Sequence, residues 1–226
     1  MTFDRYFDVV LCIDGTKTMN DVGSDGRSHL DRVKSIAKNI GPFLYAHLRR
    51  YRCCLKELRI RLIVFRDYLS DGENAMQDTK WFMFPDEIRA YEACVDSIVA
   101  DGGGDTSEDG LEALAYAIRS EWTCKAPIRR HIIIVLSDAG THEIGHCKPS
   151  QYYPRGIPKD MGELANWWDS MNDTAKFLVL FTPNEKYWSC ISDSWDNVVH
   201  YPSLAGSGIT ERIFDAVFTP ILAPDF

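Results

Sequence analysis

Carboxylate and hydroxyl side chains recur in three segments that lie far apart in this chain. The segments are Asp14–Thr18 (DGTKT), Gly102–Glu108 (GGGDTSE) and Ser137–Gly140 (SDAG). Their oxygen atoms are the ligands that a hard cation such as Mg²⁺ prefers, and Mg²⁺ keeps several waters and takes few direct protein contacts. If folding brings the three segments together, they can form a site for one divalent cation.

The spacing within the first segment suits coordination. Asp14, Thr16 and Thr18 occupy alternate positions, so their side chains point the same way in an extended loop. The threonine hydroxyls would coordinate the ion without adding charge, and the carboxylates of Asp14 and Asp138 would accept hydrogen bonds or bind through water. An ion held in this way keeps one position open for an incoming carboxylate.

Six segments have the pattern of β-strands, and they determine where the polar segments lie. Four continuous apolar runs are typical of central parallel strands that are buried on both faces, and two segments are weaker. The four runs are Phe7–Ile13, Leu58–Phe65, His131–Leu136 and Lys176–Phe181; the weaker two are Lys80–Phe84, an antiparallel edge strand after the turn-rich segment Ser70–Asp78, and Asn197–Tyr201, the last strand.

Helical periodicity fills most of the intervals between these strands. The predicted helices are His29–Tyr51, Pro85–Val99, Glu108–Trp122, Lys159–Met171 and Thr210–Phe218, with a further helix between the last two strands. Gly41 and Pro42 interrupt the first of them, so we expect a kink or a break there.

This order of elements predicts an α/β fold with a doubly wound, mostly parallel six-stranded sheet, one antiparallel edge strand and helices on both faces. No linker or internal repeat divides the sequence, so we expect residues 1–226 to form one domain. Ligands of such sheets bind beyond the carboxyl ends of the strands, where the strand order reverses. Asp14 follows the predicted strand Phe7–Ile13 directly, and Asp138 follows Leu136 after Ser137, so the two should meet at that position.

The three segments, in this order, resemble the von Willebrand factor A (vWA) domain family over nearly the whole chain. Asp14–Thr18 is similar to the family's metal-ion-dependent adhesion site (MIDAS), Asp-x-Ser-x-Ser, with threonine at both serine positions. Gly102–Glu108 resembles the Gly-Gly-Gly-Asp-x-Pro-Glu variant of hemicentin-like and kinase-associated members, with Ser107 in place of proline. Ser137–Glu143 (SDAGTHE) resembles the third motif, whose aspartate matches Asp138.

The resemblance implies a Rossmann-like fold and a function in metal-dependent protein–protein interaction rather than catalysis. It implies a metal site at Asp14, Thr16, Thr18, Asp105, Thr106 and Asp138. Whether Asp105 or Thr106 is the ligand from the second motif stays open. The expected ion is Mg²⁺, with Mn²⁺ or Ca²⁺ as alternatives. The expected partner is a protein that supplies an Asp or Glu ligand, in a signalling or scaffold role beside a separately encoded kinase or phosphatase.

A metal-dependent hydrolase is the alternative function. It would use either the same ion or a zinc site, because His142–His146 (HEIGH) matches the zinc-peptidase pattern His-Glu-x-x-His. That pattern requires a helix that places both histidines on one face. Here Gly140, Gly145 and Pro149 surround it, which favours a surface loop.

Charge and composition restrict the remaining classes of function. The formal net charge of −8 argues against a nucleic-acid partner, which requires a basic face. No run approaches the roughly 18 apolar residues of a membrane span, so no membrane partner is expected. The seven cysteines follow no regular spacing. That pattern indicates reduced thiols and a cytoplasmic protein.

Overall fold

Five parallel strands form the centre of a seven-stranded sheet in the computed structural model, which describes residues 4–50, 54–124, 128–207 and 218–219. In chain order the strands are β1 (Asp4–Asp14), β2 (Cys54–Phe65), β3 (Met76–Asp78), β4 (Phe82–Phe84), β5 (Ser107–Glu108), β6 (Ile128–Leu136), β7 (Gly140–Thr141), β8 (Lys176–Phe181) and β9 (Val198–His200). The parallel order is β2-β1-β6-β8-β9, and β5 pairs with β7 in a separate two-stranded sheet. The predicted mostly parallel α/β architecture is therefore confirmed.

The edge beyond β2 carries one more strand than the sequence predicts. Both β3 and β4 pair antiparallel with β2, at Ile63–Phe65 and Leu58–Ile60 respectively. Because β2 is 12 residues long, it accommodates two short partners in succession. β3 (MQD) is half-buried to exposed and has no alternation of apolar residues. For this reason the sequence predicts it as part of the turn-rich segment Ser70–Asp78.

Within the described ranges, five helices cover the faces of the sheet: α1 (His29–Arg50), α2 (Ile88–Ser97), α3 (Gly110–Ile118), α4 (Met161–Ser170) and α5 (Lys186–Ser194). Of the predicted kink or break at Gly41 and Pro42, the break does not occur, since α1 continues through both residues. Ile40 and Leu44 are fully buried on either side, and their packing outweighs the one hydrogen bond that proline removes. The predicted helix Thr210–Phe218 lies outside the described residues apart from Phe218.

Two hydrophobic cores explain why the central strands contain continuous apolar runs, such as Val9–Ile13 in β1. On one face of β1, Val9 and Leu11 pack in the core that includes α1 and α2. On the other face, Val10 and Cys12 pack with residues of α3, α4 and α5. A strand that is covered on both faces has no solvent-facing position.

The register aligns the ends of the parallel strands at one edge of the sheet, which we call the carboxyl edge. Asp14 pairs with Phe65, Ile13 with Leu136, and Leu136 with Phe181. The chain passes from β1 through α1 to β2 on one side, whereas β6 joins β1 on the other side. The strand order thus reverses between β1 and β6, where ligands of such sheets bind.

Candidate metal centre

The carboxylate of Asp14 is the buried centre of a hydrogen-bonded cluster at the carboxyl edge. Its Oδ1 accepts hydrogen bonds from the Thr16 hydroxyl at 2.6 Å and from the Thr16 amide at 2.9 Å. Its Oδ2 accepts one from the Ser137 hydroxyl at 2.6 Å. Both Asp14 and Thr16 are at most 1% exposed. The first and third sequence motifs therefore meet here, as their positions after β1 and β6 predict.

Hydroxyl groups continue the cluster from Asp14 outward. Thr16 Oγ1 and Thr18 Oγ1 are 3.2 Å apart, and Thr18 Oγ1 donates a hydrogen bond to Asp138 Oδ1 at 3.1 Å. Thr18 is exposed and Asp138 is half-buried, in contrast to the buried Asp14. The cluster therefore extends from the core to the solvent. We call Asp14, Thr16, Thr18, Ser137 and Asp138 the edge cluster.

The second motif contributes differently from the sequence prediction. Asp105 Oδ1 accepts a hydrogen bond from the Ser107 amide at 2.9 Å and lies 3.1 Å from Nε2 of His142. Its side chain is 60% exposed, and Thr106 is exposed as well. The structure thus brings four of the six predicted site residues together, namely Asp14, Thr16, Thr18 and Asp138, while Asp105 contacts His142.

Glu108 is the acidic residue of the second motif that lies beside the edge cluster. It belongs to β5 rather than to a helix, and it is 2% exposed. A Cβ added at Gly103 would lie 3.0 Å from Glu108 Oε1 and 3.2 Å from Thr16 Cβ. The helical pattern predicts the start of a helix at Glu108, and the resemblance implies no role for it in the metal site. Its position in the second motif was the available signal for a site residue.

Within the described part of the chain, basic side chains do not balance the charge of these carboxylates. Among the residues that the structure describes, no lysine or arginine forms an ion pair with Asp14, Glu108 or Asp138. Burial, and then the charge of Asp138, raises the pKa of Asp14 to about 6. Burial and the charge of Asp14 raise the pKa of Glu108 to about 9, and burial raises that of Asp138.

A divalent cation fits this environment for two reasons. The donors are all oxygen atoms, which suits Mg²⁺, Mn²⁺ or Ca²⁺ rather than a thiophilic metal. In addition, Glu108 Oε2 is buried and has no hydrogen-bond partner among the described residues, which is costly unless a ligand satisfies it. Asp14, Thr16, Thr18, Glu108 and Asp138 could hold such an ion.

The guanidinium group of Arg66, at the end of β2, fixes the loops around the edge cluster. It donates hydrogen bonds to the carbonyl oxygens of Gly15, Asn74, Val99 and Asp101, at 2.8 to 3.1 Å. Arg66 is 8% exposed, and its planar donors connect the first motif to the segment before the second. These contacts preorganise the loop backbone without neutralising a carboxylate.

A second buried cluster at this end of the molecule could also bind a metal ion. Asp67, His142 and Cys147 each direct one ligand atom to a common point, and these atoms lie within 4.8 Å of one another. Burial raises the pKa of the Cys147 thiol, which a bound metal would oppose. We call these three residues, with Asp109, the histidine cluster.

The zinc-peptidase geometry is not formed around His142. Residues 142–143 have no regular structure and residues 144–149 form turns rather than a helix, and the rings of His142 and His146 stack with centroids 4.4 Å apart. The two nitrogens of His142 face Asp105 and Asp109 instead. Although burial opposes its charge, hydrogen bonds to Asp109 and Asp105 raise the pKa of His142 to about 9.

Comparison with known proteins adds no family to these observations. No protein-family model matches the chain, and a search of curated proteins finds no match. In the described part of the chain, no helix has the length and apolar character that crossing a bilayer requires. The resemblance to vWA domains rests on the three motifs.

Proposed function

We propose that this chain is a vWA-type domain that binds a protein partner through a divalent cation at the edge cluster. Mg²⁺ is the proposed ion, and a carboxylate of the partner completes its coordination. Asp14, Thr16, Thr18 and Asp138 are the proposed ligands or hydrogen-bonding supports. Glu108, which is not among the site residues predicted from the sequence, contributes a further buried carboxylate.

One observation carries the proposal: a buried carboxylate and an outer carboxylate are joined by hydroxyl groups across two distant loops. Asp14 is connected to Asp138 through Thr16 and Thr18, at oxygen–oxygen distances of 2.6, 3.2 and 3.1 Å. Carboxylates at this proximity repel each other unless a proton or a cation lies between them. A cation relieves this repulsion and also gives Glu108 Oε2 a charge partner.

The direction in which the cluster opens supports binding rather than catalysis. Asp14 and Thr16 close its inner side, while Thr18 and Asp138 border the solvent. A cation here has protein oxygens on one side and water on the other. A carboxylate from a partner can replace that water, and a protein of net charge −8 would otherwise repel an acidic partner. This arrangement suits a regulatory or scaffold domain.

Calorimetric titration of the metal-depleted full chain with Mg²⁺ tests the site. Wild type should bind one ion, and Asp14→Asn should abolish the binding, because the amide removes the innermost charge. The matched control is Asp86→Asn, an exposed acid after β4, at the opposite edge of the sheet. Equal Mg²⁺ binding by wild type and a folded Asp14→Asn variant would refute the site.

Selection from a displayed library of random peptides tests the proposed partner chemistry. Peptides selected in Mg²⁺ should share one Asp or Glu, and their binding should vanish in EDTA and in Asp14→Asn. Replacement of that acid by Asn or Gln should have the same effect. Selected peptides that bind equally well in EDTA would contradict the proposed mode of binding.

A further inference from the structure

We propose that the histidine cluster is a Zn²⁺ site, with Asp67, His142 and Cys147 as ligands and Asp109 as the fourth. This site is separate from the edge cluster and does not depend on the proposed protein-binding function. Its thiol and imidazole ligands favour a softer metal than the all-oxygen edge cluster does. The predicted pairing of His142 with His146 is not part of it.

The distances between the ligand atoms approach those of a tetrahedral zinc site. His142 Nδ1 lies 3.8 Å from Cys147 Sγ, 3.8 Å from Asp67 Oδ2 and 3.3 Å from Asp109 Oδ1. Bond lengths of about 2.0 Å to nitrogen or oxygen and about 2.3 Å to sulfur separate tetrahedral ligands by roughly 3.3 to 3.6 Å. The ligand atoms of Asp67, His142 and Cys147 all lie within 4.8 Å of one another, so shifts of up to about 1 Å would bring these three ligands to tetrahedral separations.

Each carboxylate uses one oxygen for the backbone and directs the other to the centre. Asp67 Oδ1 accepts hydrogen bonds from the amides of Leu69 and Ser70, at 2.6 and 2.8 Å. Asp109 Oδ2 accepts one from the Tyr68 amide at 2.7 Å. The oxygens Asp67 Oδ2 and Asp109 Oδ1 both face His142. Ligating carboxylates are held by such outer hydrogen bonds in metalloproteins.

The imidazole of His142 is oriented in the same manner. Its Nδ1 faces the centre, and its Nε2 lies 3.1 Å from Asp105 Oδ1. Metal-ligating histidines commonly donate their second ring N–H to a carboxylate, which fixes the tautomer and the ring plane. Asp105, which the motif predicted as a ligand of the edge cluster, therefore acts here as a positioning residue for His142.

Burial and charge both favour a cation at this point. Asp67, Asp109 and Cys147 are at most 2% exposed, and His142 is 8% exposed. Within the described ranges, neither Asp67 nor Asp109 forms an ion pair with a lysine or an arginine. Buried carboxylates are usually paired with a base or bound to a metal. Here one imidazole, that of His142, faces the carboxylates of both Asp67 and Asp109.

Four protein ligands make this a closed, structural site rather than a catalytic one. The ligands come from the segment after β2, the start of α3, the segment after β7 and the following turn. A bound ion would therefore connect these four segments at the carboxyl edge. It would also hold the second motif in place through the contact between Asp105 and His142.

Cobalt(II) and Zn²⁺ titrations of the reduced, metal-depleted full chain test the proposal. Wild type should bind one cobalt ion and develop the sulfur-to-cobalt charge-transfer absorption of a thiolate ligand, which Zn²⁺ then displaces. Cys147→Ser should lose that band, whereas Cys190→Ser, at an exposed free cysteine, should keep it. Absence of the band in folded wild type would overturn the proposal, even if no variant folded.

Affinities from competition with a chromophoric Zn²⁺ chelator distinguish this ligand set from the alternatives. His142→Gln should weaken Zn²⁺ binding at least 100-fold, and Asp105→Asn about tenfold as an outer-shell change. His146→Gln is the matched control and should bind Zn²⁺ like wild type. Loss of binding in His146→Gln, or wild-type affinity in Cys147→Ser, would overturn the site. The Mg²⁺ titration of the edge cluster is a separate measurement.

Discussion

The hydroxyl group of Thr18 donates a hydrogen bond of 3.1 Å to Oδ1 of Asp138, across 120 positions of the sequence. Thr18 follows β1 and Asp138 follows β6, so this bond spans the point where the strand order reverses. Thr18 is exposed, and its hydroxyl is the outermost of the two hydroxyl groups that lie between Asp14 and Asp138. This contact makes Thr18 the most direct test of the edge cluster from its outer side.

Thr18→Val should weaken Mg²⁺ binding about tenfold while the fold persists. Valine keeps the branched shape but removes the oxygen that joins Thr16 to Asp138, and loss of such a support costs roughly 10–100-fold in metal affinity. Thr18→Ser keeps the oxygen and should bind Mg²⁺ like wild type. Calorimetry on the three proteins checks this. Wild-type Mg²⁺ affinity in Thr18→Val would show that the Thr18 hydroxyl does not support the ion.

Glu108→Gln should raise the thermal stability of the metal-depleted protein and reduce its further stabilisation by Mg²⁺. Glutamine has nearly the same shape, but it removes a buried acid whose pKa is raised to about 9 by burial and neighbouring carboxylates. Unfolding followed with and without Mg²⁺ measures both effects. Glu73→Gln, at an exposed acid in the turn before β3, is the control. A lower melting temperature without metal would contradict the proposed repulsion at Glu108.

Most of the sheet could be predicted because its strands are buried on both faces and carry a continuous apolar pattern. The runs that end at Ile13 and Leu136 place Asp14 and Asp138 at one edge, and the structure confirms that these loops meet. Helix α1 continues without a break because packing of buried residues around Pro42 overrides the local preference of proline to end a helix. Such an effect depends on contacts between distant residues.

The parts of the candidate site that the sequence did not reveal depend on three-dimensional proximity. Glu108 enters the site because β5 pairs with β7, and neither two-residue strand has a recognisable sequence pattern. His142 and Cys147 approach Asp67 through turns that follow no periodic rule. The sequence shows Glu108 in the second motif and Cys147 close to His142, but the spacing of these residues does not reveal which side chains meet at one site.

Acidification from pH 7.5 to pH 5.5 should destabilise wild type more than the His131→Gln variant. Burial lowers the pKa of His131, and its Nε2 lies 3.0 Å from the Thr123 carbonyl oxygen in the fold. The unfolded chain has the ordinary histidine pKa of about 6.5 and takes up a proton first. The contribution of the neutral His131 side chain to the free energy of unfolding is therefore complete above pH 6.5 and declines as the pH falls below that value.

Melting temperatures measured across this range test the contribution of His131. Glutamine is neutral throughout, so the difference between the two proteins should be constant above pH 7 and should narrow below pH 6.5. Other groups titrate equally in both proteins and cancel in the difference. Parallel curves over the whole range would show that protonation of His131 is not linked to unfolding.

Gly110→Ala should destabilise the protein by about 1–3 kcal/mol, which is typical of overpacking in a core. A Cβ at Gly110 would lie 2.7 Å from Cζ2 of Trp188. The indole cannot easily move, because it is fully buried and its Nε1 donates a hydrogen bond to the Ala139 carbonyl oxygen at 3.2 Å. Since Ala139 follows Asp138, the strain should also reach the edge cluster.

Gly162→Ala is the matched control, because Gly162 also lies at the start of a helix, in α4. Its added Cβ would meet only Asp160 Oδ1, at 3.2 Å, at the end of a side chain. Alanine has the higher helix propensity, so this variant should be unchanged or more stable by up to about 1 kcal/mol. Chemical unfolding compares the two variants. Equal stability of the two variants would mean that Trp188 can move away from α3. The hydrogen bond from Trp188 to Ala139 would then not hold the third motif rigidly.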